Sequence, residues 1–326
     1  MVLARRVVVG LCLSASVLLA PTRCARAAEH GLLIDALGDT LPAGPYPARI
    51  VSLSPNLTEA LFALGVAPER IVGRTRYCDY PKAALARPDM GGIVDPSIER
   101  IQNAHPDLVL VARGNPVEVQ EQIRAIHIAV FALEDRNDLA GIGSVLSDIA
   151  RVVGPDNPAR AESLLTRFRA ETEAYAAWAA EIPEAERPRV YFADPDNPGF
   201  TAGPGSHIDD LLRHAGARNL VTTGGAWPKY SSEALLVAQP DFLLIALPSD
   251  RTRDDVVAQL RRDPAMSALR AVARGAICFV DAGTLLRPGP RLVRALEEIA
   301  DCVQTERPRP KGAWNAAPAT PAGSMR

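Results

Sequence analysis

Histidine, cofactor motifs and long apolar runs are what this sequence has least of. Its five histidines, His30, His105, His127, His207 and His214, are scattered, with no His-rich loop and no H-E-x-x-H, which excludes a zinc-protease helix and a histidine-built metal site. No phosphate loop and no dinucleotide fingerprint occurs. The stretch GPGSH, Gly203 to His207, has the outline of a nucleophile elbow but fails it, because His207 and Ile208 follow the serine where a glycine is required. No catalytic residue is assigned, and neither a resident cofactor nor a resident metal is expected. The longest apolar run, Val7 to Ala20, is too short to span a bilayer.

That run has a different meaning. Arg5 and Arg6 precede it, and Ala25-Arg26-Ala27 sets small residues two apart before Ala28, the layout of a cleaved secretory signal over residues 1–27. Its removal takes four arginines (Arg5, Arg6, Arg23, Arg26) and no acid from a chain of formal charge −2, which leaves −6. An acidic exported protein is a poor nucleic-acid binder. The residues before Cys24 are Pro21, Thr22 and Arg23, unlike the small apolar residues that precede a lipid-modified cysteine, so a soluble mature form in the periplasm is expected. Cys12 and Cys24 leave with the signal, and an odd set remains: Cys78, Cys278 and Cys302. Cys278 lies on the last predicted strand and Cys302 on the helix after it. A bridge and two buried thiols are both open there.

With 326 residues, 48% of them hydrophobic and 23% charged, the chain is long enough for one or two ordinary domains. Short β-rich runs alternate with longer stretches in which apolar residues recur at three and four. Strands are predicted over Arg49–Leu53, Leu108–Ala112, Ala129–Leu133, Val190–Ala193, Phe242–Ala246 and Ala276–Val280. Continuous apolar runs of this length fit strands covered on both faces by helices, hence parallel α/β layers. DPSIERIQNAHPDLVLVA, Asp95 to Ala112, can be laid without a gap over KYSSEALLVAQPDFLLIA, Lys229 to Ala246. In each, a capped acidic helix start leads to Pro-Asp and a buried strand. TEALFALG (Thr58–Gly65) and IDDLLRHAG (Ile208–Gly216) form a second such pair, each closing on a glycine.

Two lobes on one plan follow: residues 47–137 and 188–304. Helices over 138–187, with apolar faces that include Leu164, Phe168, Tyr175 and Trp178, join them as a long backbone. The Pro/Ala-rich stretch 305–326 lacks any apolar period and is expected to be a disordered tail. The fold class is therefore α/β, two lobes with a ligand cleft between them, and such clefts favour capture of a small solute. Aromatic residues make up only 5% of the chain, yet Tyr77, Tyr80, Phe200, Trp227 and Tyr230 gather in predicted loops at strand ends. Flat rings there suit a large, flat, partly apolar ligand.

RIVSLSPNLTEALFALG followed by RIVGRTRYCDYPKAA resembles the start of the helical-backbone class of periplasmic binding proteins that serve ABC importers. Within that class, YCDYP, DPSIERI, GFTAGPGSHIDDLLRHAG, WPKYSSEALL and GPRLVRALEEIADCV are most similar to the cobalamin-binding branch. The match covers about Arg49 to Val303. It implies a monomeric, non-enzymatic carrier that takes cobalamin or a related corrinoid to an ABC importer permease dimer. It also implies ligand contacts at Tyr80, Phe200, Trp227 and Arg291, with the Ser54-Pro55-Asn56 turn offering backbone donors nearby; Tyr77, one of the strand-end rings, and Arg113 complete the expected site. Where that branch places a tryptophan, this chain has Ala112 and then Arg113-Gly114-Asn115. Haem and ferric siderophores therefore stay open as ligands, with Tyr80 placed like the axial tyrosine of haem-binding relatives. His207 would either ligate a metal from the opposite lobe or bond backbone near a helix start. Glu99 and Glu233, at equal places in the repeat, correspond to glutamates that meet permease arginines in that class. Each is equally a helix-dipole acid. An exported enzyme is the competing class, since an α/β fold alone cannot exclude one.

Overall fold

The computed structural model describes residues 32–310 except 43, 113, 135 and 136; the expected signal, Arg113 and residues 311–326 lie outside the described residues. A hairpin comes first, β1 (Leu32–Ile34) and β2 (Thr40–Pro42). The first lobe follows with β3 (Ile50–Ser52), α1 (Pro55–Ala63), β4 (Ile71–Arg74), α2 (Ile98–Asn103), β5 (Leu108–Ala112), α3 (Val117–Ala125) and β6 (Ala129–Leu133). Helices α4 (Leu139–Val153) and α5 (Pro158–Ala180) lead to the second lobe. There β7 (Arg189–Ala193), α6 (His207–His214), β8 (Arg218–Asn219), α7 (Ser232–Ala238) and β9 (Phe242–Leu247) come first. They are followed by α8 (Arg253–Arg262), α9 (Pro264–Ser267), α10 (Arg270–Arg274), β10 (Ile277–Asp281), α11 (Ala282–Leu285) and α12 (Leu292–Val303).

Each lobe holds a four-stranded parallel sheet, ordered β4-β3-β5-β6 and β8-β7-β9-β10. Counted from the first strand of its own lobe, the two orders are the same, and the sequence repeat is the visible part of that equivalence. It extends to single residues. His105 and Gln239 end α2 and α7 at φ 45° and 46°. The proline after each cannot continue the helix. Asp107 then accepts the amides of Ala48 and Arg49, as Asp241 accepts that of Arg189, so each Pro-Asp ties its strand to the strand beside it. Arg49 and Arg189 in turn donate to the last carbonyls of the two helices. Glycines Gly65 and Gly216, just past α1 and α6, sit at φ 82° and 71°, in the left-handed region that a Cβ disfavours.

The pleat divides each sheet between two cores. Val51, Val109 and Val111 face α2 and α3 in the first lobe, and Tyr191, Leu243 and Ile245 pack with the residues of α8, α9 and α10 in the second. The alternating partners, Ile50, Leu108, Leu110, Val190, Phe192 and Leu244, all belong to one cluster with α1, α4, α5, α6 and α12. A single core thus runs through both lobes and the connecting helices. Helix α5 has 23 residues, about 35 Å at the rise of an α-helix, enough to back both lobes. Asp210 of α6 accepts the first amide of α4, that of Leu139, at 2.7 Å, which fixes the second lobe to the connection.

Two differences from the sequence reading have physical causes, and one open alternative is resolved. Strands β4 and β8 and the β1–β2 hairpin were not expected, because β4 is cut short by Gly73 and Arg74 and β8 is two residues long. The described part of the expected tail, Thr305–Pro310, lies along α5 and α12 instead: Trp178 Nε1 donates to Pro308 O at 2.9 Å, and Arg307 and Arg309 pair with Glu186 and Asp301. Hydrogen bonds and charge hold a segment that has no apolar period to offer. Cys278 and Cys302 form a disulfide, with Cα atoms 5.7 Å apart where α12 packs against β10, and Cys78 is a buried free thiol.

Candidate functional site

Strand–helix loops at the C-terminal ends of parallel strands gather wherever the sheet feeds its helices, and here those of both lobes meet around one cleft of about 920 Å³. The first lobe contributes Ser54, Pro55 and Asn56 at the start of α1, then Tyr77, Asp79, Tyr80 and Lys82 from the segment after β4. The second contributes Pro248–Asp250 after β9, Asp281–Gly283 at the end of β10, and Leu286–Pro288 with Arg291. Helix α1 starts without a side-chain cap hydrogen bond, Ser54 being its N-cap and Pro55 its first residue, so the positive end of the helix dipole stands in the cleft wall.

Arg291 is the centre of the floor. Its Nε and Nη2 reach Glu59 Oε2 at 2.9 and 2.8 Å, Nη1 donates to Thr284 Oγ1 at 2.9 Å, and Nη2 donates to Gly283 O at 2.9 Å. Its guanidinium carbon lies 3.8 Å from the centre of the Tyr80 ring, a cation–π contact. Glu59 belongs to the other lobe. Burial raises its pKa, and the hydrogen bonds and charge of Arg291 only partly offset that. A second pair crosses between the lobes nearer solvent: Arg287 Nη2 donates to Asp79 Oδ2 at 3.2 Å, and Nη1 to Oδ1. Burial works against the Asp79 carboxylate, but Arg287 outweighs it and holds the pKa below the usual range. The Tyr80 phenol is raised above 10.0 by burial, against the pull of Arg291.

Of the residues expected at the ligand, Ser54, Pro55, Asn56, Tyr77, Tyr80 and Arg291 line this cleft. Arg291 lines it with each of its three guanidinium nitrogens already engaged, which makes it a support for Tyr80 more than a free hand for a ligand. Phe200 and Trp227 are not among the residues that line this cleft: their rings stack on one another at 5.8 Å and 8°, with Phe192 and His207 beside Trp227. The strand-end position that suggested them holds, but Gly199–Gly203 and Ala226–Tyr230 pair as a ribbon and turn both rings onto each other. Arg113 lies outside the described residues, flanked by Ala112 and Gly114 of the cleft lining. His207, buried at the first turn of α6, meets Leu285 O through Nε2 at 2.8 Å, and burial lowers its pKa. Among the described residues, no group of three or more His, Cys, Asp or Glu side chains forms a metal site.

Glu59, Asp79, Lys82 and Arg287 were missed. Glu59 carried a signal: it is an acid inside the run Leu57–Phe62, all of which is buried. Asp79 and Arg287 stand within and just before motifs already singled out, but nothing in the sequence pairs residues 208 positions apart. Glu99 and Glu233 are both exposed and both second residues of their helices, α2 and α7, whose N-caps Ser97 and Ser231 accept amides at 3.2 and 3.1 Å.

Comparison with known proteins places this geometry. The model of the family described as periplasmic binding protein matches residues 50–283. A cobalamin-binding protein of Halobacterium salinarum strain R1 is 26% identical over 275 residues, which cover 82% of this chain and 72% of the relative. A vitamin B12-binding protein of Salmonella paratyphi A is 32% identical over 210 residues, 64% of this chain and 76% of the relative. Among solved structures, a periplasmic heme-binding protein from Pseudomonas aeruginosa superposes with a TM-score of 0.71 at 26% identity, covering 81% of this chain and 95% of that one.

Proposed function

The chain belongs to the periplasmic binding protein family, and from that premise we propose that it captures cobalamin or a related corrinoid in the periplasm and delivers it to an ABC importer. The observation that carries the ligand class is the cleft itself. At about 920 Å³ it is at the large end of small-molecule sites, it lies where two lobes meet, and Tyr77 and Tyr80 stand in one wall with the start of helix α1 beside them. Broad apolar rings flanked by hydrogen-bond donors suit a flat macrocycle fringed with amides. The Halobacterium and Salmonella relatives bear cobalamin and vitamin B12 in their names, which supports the same reading.

Capture is stoichiometric, with no bond made or broken. Residues 1–27 would act as the export signal, and the mature protein would work as a monomer. Glu99 and Glu233 would meet the two halves of the permease, as equivalent carboxylates at the starts of equivalent helices.

Haem is the second reading, favoured by Tyr80 in the cleft and by the solved heme-binding neighbour. Against it, Tyr80 is covered by the Arg291 guanidinium and burial raises its pKa, which disfavours the phenolate, and the Nε2 of His207 is already engaged. Visible spectra of the purified protein, titrated separately with cyanocobalamin, dicyanocobinamide, haem and ferric chelates, decide between them. The corrinoid spectra shift with one-to-one saturation on this reading. A Soret shift with haem and no change with either corrinoid overturns it.

A further inference from the structure

The two arginine–carboxylate pairs that join the lobes at the cleft differ in what they can release. Arg291 is buried, and its Nε and both Nη atoms are held by Glu59, Thr284 and Gly283. Moving it would strand a buried carboxylate and leave its own charge unpaired, a heavily penalised state. Arg287 is different. Its hydrogen bonds go to Asp79 alone among the described residues, the Asp79 side chain is 55% exposed, and both residues line the open cleft. An exposed pair of this kind contributes little to stability and exchanges readily. An arginine fork, moreover, matches the paired oxygens of a phosphate or carboxylate as well as it matches Asp79.

A second cation shares the lining. Lys82 lines the cleft three residues beyond Asp79 and makes no ion pair among the described residues, while Asp250 and Asp281 line the cleft from the ends of β9 and β10. An anionic substituent entering the cleft therefore has two cations of the lining to meet, Arg287 in exchange for Asp79 and Lys82 beside it in sequence.

We propose that Arg287 is a specificity-determining residue of the cleft: an acidic substituent on a tetrapyrrole ligand takes the guanidinium from Asp79, so that Asp79 acts as a built-in competitor for that anion. This inference rests on the tetrapyrrole reading and adds the ligand's charge to it. The shared chemistry is a flat macrocycle with an oxyanion arm, which is the phosphodiester of cobalamin or a propionate of haem.

Two matched ligand pairs test it. Cyanocobalamin carries the phosphodiester and dicyanocobinamide lacks it; haem carries propionates and its dimethyl ester does not. Dissociation constants are measured for wild type, Arg287→Ala, Arg287→Lys and Asp79→Asn, each checked by melting temperature. Arg287→Ala is expected to weaken the acid-bearing member about tenfold or more, the usual scale of a lost charge-assisted hydrogen bond, and to leave the acid-free member within about twofold. Asp79→Asn is expected to tighten the acid-bearing member alone, and Arg287→Lys to fall between wild type and alanine. Equal loss for both members, or no loss for either, overturns the role of Arg287 while the tetrapyrrole reading stands. If wild type binds neither macrocycle, the tetrapyrrole reading fails and this inference with it.

Discussion

Glu59 and Arg291 face each other across the lobe boundary, carboxylate to guanidinium at 2.8 Å, with side chains only 4% and 11% exposed. One comes from the first helix of the first lobe and the other from the start of the last helix of the second. Truncating one partner leaves a buried charge, so Glu59→Ala is expected to destabilise the protein by about 3–5 kcal/mol. Urea unfolding followed by circular dichroism measures it. A loss under about 1 kcal/mol would show that the pair is freely hydrated.

The ring that matters for the ligand is expected to be Tyr80, not Trp227. Tyr80 lines the cleft over Arg291, while Trp227 stacks on Phe200 outside its lining. Tyr80→Ala should weaken corrinoid binding by about 1–3 kcal/mol, the range for loss of an aromatic anchor, and Trp227→Ala by less than about 0.5 kcal/mol. Isothermal titration of both variants checks this, and the reverse order would return Trp227 to the site.

Asp210 holds the connecting helix by accepting the Leu139 amide, and His214 bonds Asp210 through Nδ1 to its backbone carbonyl at 2.8 Å. Burial opposes the charged ring, but the bonds to Asp210 outweigh it and raise the His214 pKa above 6.5. A raised histidine contributes fully below about 6.5 and loses that contribution as pH climbs through its higher folded value. Burial likewise opposes the Asp210 carboxylate, but His214 and the Leu139 amide lower its pKa, so its contribution holds above about 3.8 and is lost only as pH falls through the lower folded value. Melting temperature should accordingly hold through mildly acidic pH and decline above neutrality. His214→Gln should flatten that alkaline decline, and an unchanged slope in the variant counts against the linkage.

Reduction of Cys278–Cys302, or Cys278→Ser with Cys302→Ser, is expected to destabilise the C-terminal lobe by about 2–4 kcal/mol, since the bridge joins β10 to α12 across 24 residues of chain. Non-reducing peptide mapping of exported protein should recover the linked pair and alkylate Cys78 only after unfolding. A freely alkylated Cys302 would exclude the bridge.

For docking, Glu99→Lys combined with Glu233→Lys should abolish uptake through a reconstituted importer, while ligand affinity and melting temperature stay near wild type. Both side chains are exposed at helix starts, where an acid contributes only about 0.3–1 kcal/mol to the helix itself. Normal uptake by the double variant would leave them as helix-dipole acids alone.

How much was legible follows from range. The parallel α/β plan, the two lobes and the backbone helices were readable because they rest on local periodicity and on Pro-Asp and glycine punctuation, which neighbouring residues impose on one another. The internal repeat also sets Glu99 and Glu233 at matching helix positions. Strand β8, with two residues, and β4, ending in Gly73-Arg74, lacked a pattern long enough to read.

Neighbouring residues alone make most of the strands and helices readable, and with them the loops that carry aromatic rings. Which of those rings line the cleft, that Cys278 meets Cys302, and that Arg291 is held by Glu59 while Arg287 is held by Asp79 at its edge are outcomes of packing. Those partners are from 24 to 232 positions apart. Distance along the chain carries no information about such encounters, because they are fixed by how two sheets and their shared helices pack into one core.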